Sequence, residues 1–504
     1  MLSKSNFMSF VACPAQLWLR LHRPDLLPPP DAGLEEVFAL GREVDDLARA
    51  LFPGGVEAGG FGETGWRRFQ ALARGDGQVF YQPTVVAPAA GTGDLLTCRA
   101  DIVVRRGEAW DVHEVKSGTH VKEDHCYDLA FQREAFEAAG LAVSRTYLVH
   151  VNRDYVRGGE VDARRLLMSE DVTREVDAVR TEVRRLIPKA LAAAAARAVT
   201  PALIRECVEA DGDCEFAPAL LAALDGAERA ATLGALPDST LRALLAGGLV
   251  TEDALAAERL ESLRAGGYAH PVPPRVNVGL FRRELAAELA ALAYPLYYLD
   301  YETYSPAVPR YDGYRPYERV PFQLSLDVQR EPGGPLEHHD FLAESADDPS
   351  GDLVAALRGK IGPTGHLVAW NAVFEKGVHK ELAARHPGDA AFLLDLNERM
   401  YDLMLVFRKG RLYVDSRLAG RASLKLVAPL LVGDLYAGLD IRNGAVASAS
   451  WPRLVGWRPL GEAWPDRAAL RSAMLRYCAV DTLAMVRILD YLRDAAAGRV
   501  PLKK

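Results

Sequence analysis

The sequence predicts an α/β protein of two large units joined by a small helical connector, and three observations carry that expectation. The chain has 504 residues, too many for one compact unit at roughly 100–200 residues per domain. Residues 1–200 and 291–504 each alternate apolar β-type runs with amphipathic helical patterns. Residues 201–290 are instead rich in Ala and Leu and end at His270-Pro-Val-Pro-Pro274, where proline, lacking an amide hydrogen, cannot continue a helix. Domains are therefore expected at 1–200 and 291–504, with the connector at 201–290.

Composition excludes several classes. At 49% hydrophobic and 25% charged the chain reads as an ordinary globular protein. No apolar run approaches the roughly 18–20 residues that span a bilayer, so no membrane partner is expected. Lys4, Ser5 and Asn6 interrupt the N-terminal apolar stretch, which argues against a signal peptide. Six cysteines do not make a disulfide framework, so a cytoplasmic location is expected. The net charge of −8 disfavours a nucleic-acid partner if taken alone. It is uneven, however: residues 201–290 hold 8 Lys and Arg against 14 Asp and Glu, whereas 291–504 hold 27 against 26. A binding surface is local, so the whole-chain value does not decide the question.

Within the first block, Ser5 is placed to cap a helix carrying Phe7, Phe10, Val11, Leu17 and Leu19, and a second helix is expected from about Leu34 to Leu51. Strands follow at Gln78–Val86, Leu95–Arg105 and Ala109–Lys116, and a turn at Arg106-Gly107 pairs the last two. That pairing brings Asp101 close to Glu114, beside Lys116. Two carboxylates converging next to a lysine suit a divalent-metal site. The next helix sets Asp128, Gln132 and Phe136 on one face at four-residue spacing. A long helix is expected from near Asp171 through the alanine run 190–198.

Asp101, Glu114-x-Lys116 and a helix with Gln132 resemble the PD-(D/E)XK nuclease core in its RecB-like branch. The opening Cys13-Pro14 and the segment Gly41-Arg-Glu-Val-Asp45 are similar to that branch as well. The resemblance implies Asp101 and Glu114 as ligands of Mg²⁺ or Mn²⁺, Lys116 as catalytic lysine and Gln132 as a substrate-orienting residue. Asp45 stands where the branch commonly has histidine and is an additional candidate ligand; Phe136 stands where it has tyrosine. Members of the branch often hold a four-iron (4Fe-4S) cluster on four thiolates. Cys13, Cys207 and Cys214 occupy matching places, and no fourth cysteine follows Cys214 in Glu215–Leu220.

In the last block, Leu292-Ala-Tyr-Pro-Leu-Tyr-Tyr-Leu-Asp300-Tyr-Glu302 reads as a strand ending in two carboxylates, which period two points to one side. Pro321–Val328 is the expected neighbour. His366–Asn371 is a strand that opens a helix carrying Glu375 through Leu382, and Tyr477 and Asp481 share one face of a helix running to about Leu492. Asp300-Tyr-Glu302, Asn371-Ala-Val-Phe-Glu375 and Tyr477-Cys-Ala-Val-Asp481 resemble, in order, the three motifs of the DnaQ-like (DEDD) exonucleases of the RNase H-like fold. That implies two divalent metals on Asp300, Glu302, Glu375 and Asp481, with Tyr477 orienting the attacking water. Glu375 stands where the group usually has Asp. Arg408, Lys409, Arg411, Arg417, Arg421 and Lys425 are interleaved with Phe407 and Tyr413, a composition suited to tracking a single strand. His338, His339 and His379 lack a metal-ligand spacing and are read as incidental.

The order of the two blocks is similar to a bacterial family that places a RecB-like core before a DnaQ-like exonuclease. The implied activity is metal-dependent hydrolysis of DNA, single-stranded or with free ends, in repair or defence. RNA, or a binding scaffold with one inactive site, are the alternatives.

Overall fold

The computed structural model describes the chain except residues 210–215, 247, 269–276, 419 and 503–504. Cys214 and the proline-rich break 270–274 lie outside the described residues. Half of the chain is helical and 17% is strand, the mixed α/β class expected. It divides into two compact units, Met1–Pro29 with Ala39–Pro271 and Pro30–Phe38 with Val272–Lys504.

The first unit is built on a six-stranded mixed sheet in the order Val56–Glu57, Val79–Tyr81, Ile102–Arg106, Ala109–Lys116, Val143–Val151 and Leu167–Asp171. The hairpin turns at Gly107, whose φ of 65° suits glycine, and its register sets Ile102 opposite His113. Two expected strands are each broken in two. Gln78–Val86 becomes Val79–Tyr81 and Thr84–Pro88, and Leu95–Arg105 becomes Leu95–Arg99 and Ile102–Arg106. The second and third of these four pieces leave for a separate three-stranded sheet with Leu2–Ser3. Gln82, with φ 52°, and Pro83 cause the first break, and the Gln82 N–H donates to the Asp101 carbonyl (2.8 Å) at the second. Asp101 thus sits at a corner where the chain changes sheets.

The opening helix is also corrected. Ser3, not Ser5, caps it by accepting from the Asn6 N–H (3.1 Å), and it stops at Cys13, where a second helix, Pro14–His22, begins. Phe7 stacks on Phe131 of the helix Glu123–Ala138 at 4.8 Å between centroids. Phe136 is fully buried in the same core, where it is a packing residue. Of the stretch expected as a connector, the helices from Pro201–Glu209 to Ala257–Ala265 count with the first unit, and the helix Arg282–Ala290 counts with the second. Leu203, Leu220, Leu241 and Leu263 share one core with Ala15, Trp18 and Leu19.

The second unit carries a five-stranded sheet in the order Leu336–Leu342, Val320–Gln329, Leu296–Tyr304, His366–Ala369, Met400–Asp402. The strand Leu296–Tyr304 pairs antiparallel with Val320–Gln329 and parallel with His366–Ala369. Its alternation sorts the two faces. Tyr297, Leu299 and Tyr301 pack with Leu353, Val378 and Leu382 from the helices Ser350–Arg358 and Ala372–Arg385. Leu296 and Tyr298 pack on the other side with Ile488, Leu489 and Leu492 of the 30-residue helix Arg467–Ala496. Period two therefore delivers Asp300 and Glu302 to the face covered by the helix that bears Tyr477 and Asp481. Among the described residues, no helix is long and apolar enough to cross a membrane.

Candidate functional site

In the second unit, Asp300, Glu302 and Asp481 offer one carboxylate oxygen each, all within 4.8 Å of one another. Glu302 and Asp481 are buried and Asp300 is half-buried. Three such charges repel one another at this distance. Burial first, then the charge of Asp481, pushes the Asp300 carboxyl up to about 8. Burial, then Asp300, lifts Glu302 well above the carboxylate range, and burial raises Asp481 against the pull of Lys425. This all-oxygen set, raised first by burial and, at Asp300 and Glu302, then by neighbouring charge, could hold a metal ion, since a cation relieves both.

Glu375 stands in the first turn of Ala372–Arg385, buried, its Oε2 without a hydrogen-bond partner. Its carboxyl is raised by burial and then by Asp300, but it does not belong to the close triad. Tyr477 lies one turn before Asp481, and its hydroxyl accepts from Lys425 Nζ at 2.5 Å. Sequence reasoning missed two neighbours. Tyr436 donates its phenolic hydrogen to Asp481 Oδ1, and Cys478 Sγ donates to Asp300 Oδ2 at 3.3 Å. Tyr436 sits in a loop without periodicity. Cys478 is read in sequence only as the neighbour of Tyr477.

The basic track is changed by the fold. Phe407 and Tyr413 are buried, Phe407 stacked on Trp370 and tilted against Tyr413, so neither offers a face to a base. Arg411 is held by Glu288 (2.6 Å) and Arg417 by Asp415 (2.6 Å). Lys425 lies over the rings of Tyr477 and Tyr436, 4.6 and 5.5 Å from their centroids. Arg408, Lys409 and Arg421 are exposed.

A family model described as a domain of unknown function, DUF2779, matches residues 297–423. That stretch holds Asp300, Glu302 and Glu375 and stops before Tyr436, Tyr477 and Asp481. No curated protein matches the chain.

In the first unit a polar cluster gathers around Glu114. Its Oε1 accepts from Lys116 Nζ and from Lys4 Nζ, each at 2.7 Å, and its Oε2 from Gln132 Nε2 at 2.7 Å. Asp128 accepts from Lys116 (2.8 Å) and Gln132 (2.9 Å), and Lys4 lies 3.3 Å away. The Asp101 carboxylate accepts the Val115 N–H at 2.8 Å. Burial would raise Glu114, yet Lys116 and Lys4 together hold it far below the carboxylate range. Asp101 is pushed up to about 8 by burial and then by Glu114, and Asp45 up to about 6 by the same two causes. Lys4 and Asp128 were missed in the sequence. Asp128 was visible on the face of Gln132, but Lys4 arrives from a helix 110 positions away by packing alone.

The two clusters differ in their readiness for a cation. Both Glu114 oxygens already take N–H donors, so the first unit's carboxylates as arranged do not fit a divalent ion without displacing Lys4, Lys116 or Gln132. Among the described residues, no group containing Cys13 or Cys207 meets the geometry for a metal. Cys207 is buried in the core that Trp18 and Leu19 share, and Cys13 packs against it.

Proposed function

We propose that this chain is a metal-dependent nuclease hydrolysing phosphodiester bonds of DNA. The second unit trims single strands from the 3′ end, and the first unit is a RecB-like nuclease. One observation carries the reading: the oxygens of Asp300, Glu302 and Asp481 lie within 4.8 Å of one another, on the strand and helix whose motifs resemble the DEDD exonucleases. Mg²⁺ or Mn²⁺ held by these residues supplies activation of water and neutralisation of charge at the phosphate.

The chain's own groups do the rest. Tyr436 fixes Asp481 by hydrogen bonding, as outer partners of a ligating carboxylate do. Tyr477, kept protonated by burial first and then by the charge of Asp481, holds a hydroxyl at the site for water or a phosphate oxygen. Lys425 brings a positive charge beside that hydroxyl. In the first unit, Lys116 and Lys4 present ammonium groups to an anionic substrate. Bound metal there requires Lys4, Lys116 or Gln132 to give way at Glu114.

The test is a nuclease assay in Mn²⁺ on end-labelled and circular DNA, with matched RNA strands alongside. It compares wild type with Asp300→Ala and Lys116→Ala. Loss of 3′-end trimming in Asp300→Ala, with any remaining cleavage lost in Lys116→Ala, is expected. Unchanged cleavage in both variants sinks both assignments, and faster turnover of RNA sinks the preference for DNA.

A further inference from the structure

Beside the Glu114 cluster lies a cleft of about 450 Å³, inside the range of roughly 300–1,000 Å³ typical of ligand sites. Lys4 and Asp101, both half-buried, line it together with the exposed Phe61 and Arg99. Phe61 is 78% exposed, a large aromatic that the core does not use. The Arg99 guanidinium lies over its ring, 4.7 Å from the centroid, and Arg99 is itself exposed at the end of the strand Leu95–Arg99. Cys98, also in the lining, has its thiol pushed up to about 12 by burial and so adds no negative charge. Lys4 spends hydrogen bonds on Glu114 and Asp128, yet an ammonium has three N–H donors, and its side chain still borders the cleft.

An exposed ring backed by a guanidinium, with a half-buried ammonium in the same lining, combines a surface for stacking with charge for phosphates. Nucleotides alternate the same two chemistries. An apolar peptide would match only the phenylalanine and offer nothing to the guanidinium of Arg99 or the ammonium of Lys4, and a lone phosphate would leave the ring unused. We propose that this cleft is a single-strand subsite: a base stacks on Phe61, Arg99 meets its flanking phosphate, and Lys4 receives the next phosphate toward Asp101 and Glu114. The inference rests on the nucleic-acid reading above and names the residues that seat the strand in the first unit.

Phe61 is exposed, so changing it empties no core, and Phe61→Trp converts the platform into its own reporter. The full-length variant is titrated in EDTA with oligo-dT, oligo-U and an abasic strand of equal length, and its tryptophan emission is compared with that of wild type. Additional, saturable quenching by either base-bearing strand and none by the abasic strand is expected, because stacking needs a base and not a particular one. Adding Arg99→Ala weakens that quenching constant and lowers its dependence on log salt by about one. Phe61→Ala weakens strand binding measured by anisotropy about fivefold to a hundredfold. No added quenching in Phe61→Trp, or equal quenching by the abasic strand, overturns the subsite whether or not the protein cleaves DNA. Quenching in a protein that cleaves nothing keeps the subsite and sinks the nuclease reading.

Discussion

Tyr436 and Lys425 show how single side chains set the chemistry of the triad. Tyr436 gives its hydrogen to Asp481 Oδ1 and so fixes a carboxylate of the triad. Its phenol is held protonated by burial and then by Asp481, so it donates across the working pH range. Outer partners of this kind are worth about 10–100-fold in metal affinity or activity. Tyr436→Phe keeps the ring and removes the hydrogen bond, and is expected to weaken Mn²⁺ binding by about that factor. Calorimetric titration with Mn²⁺ measures it, and an unchanged affinity removes Tyr436 from the positioning of Asp481. Lys425 acts differently. Bound to Tyr477 and lying over two rings, it is part of the site's interior and not a free cation on a strand track.

At the scale of elements, the helix Ala372–Arg385 depends on one backbone conformation. Asn371, its N-cap, has φ 75° and ψ 61° and makes no side-chain cap bond; its N–H donates to Asp402 Oδ1 at 3.2 Å. The left-handed region costs an ordinary L-residue roughly 1–2 kcal/mol, and Asn and Gly are the residues that visit it. Asn371→Gly is therefore expected to be close to neutral, and Asn371→Ala to cost about 1 kcal/mol, read as the shift in a urea midpoint. Equal stabilities would mean that the side chain, not the backbone, is what the motif requires. The same scale shows what was legible in the sequence. The strand Leu296–Tyr304 and the helices behind Glu375 and Asp481 were readable because period two and period 3.6 are printed in the order of residues. The hairpin that sets Asp101 near Glu114 was readable from Gly107. The sheet switches at Gln82-Pro83 and Ala100-Asp101 were not, since alternation runs on through both corners. Phe407 and Tyr413 were misread because an aromatic beside arginines has the same letters in a core as on a surface. Lys4 and Tyr436 reach their carboxylates through packing, which no local pattern records.

Across the whole molecule, two kinds of buried titratable group pull stability in opposite directions with pH. His113 has both ring nitrogens buried without a hydrogen-bond partner and stacks on Tyr147; burial lowers it to about 4. His379, between Tyr301 and Asn397, is lowered to about 4 for the same first cause. Each adds stability above about 6.5 that is lost as pH falls toward 4. Asp101 and Asp300 are the reverse. Raised to about 8, they add stability that is complete below about 4 and lost as pH rises through 8. From 4 to 6.5 the two kinds oppose each other. From 6.5 to 8 His113 and His379 lose their remaining charge in the unfolded chain, so toward 8 the carboxyls outweigh them. The metal-free protein is expected to weaken over that interval, by about 2 kcal/mol at most for each carboxyl at 1.36 kcal/mol per unit. On the proposed function a divalent cation takes the place of the proton in the triad, so Mn²⁺ is expected to remove the share of Asp300. Asp300→Asn removes the same share without metal. Thermal unfolding from pH 6.5 to 8, in EDTA and in Mn²⁺, measures both effects. A metal-free Tm that rises over this interval would mean that the crowded carboxylates ionise together without cost, and the electrostatic case for a cation at Asp300, Glu302 and Asp481 would fail with it.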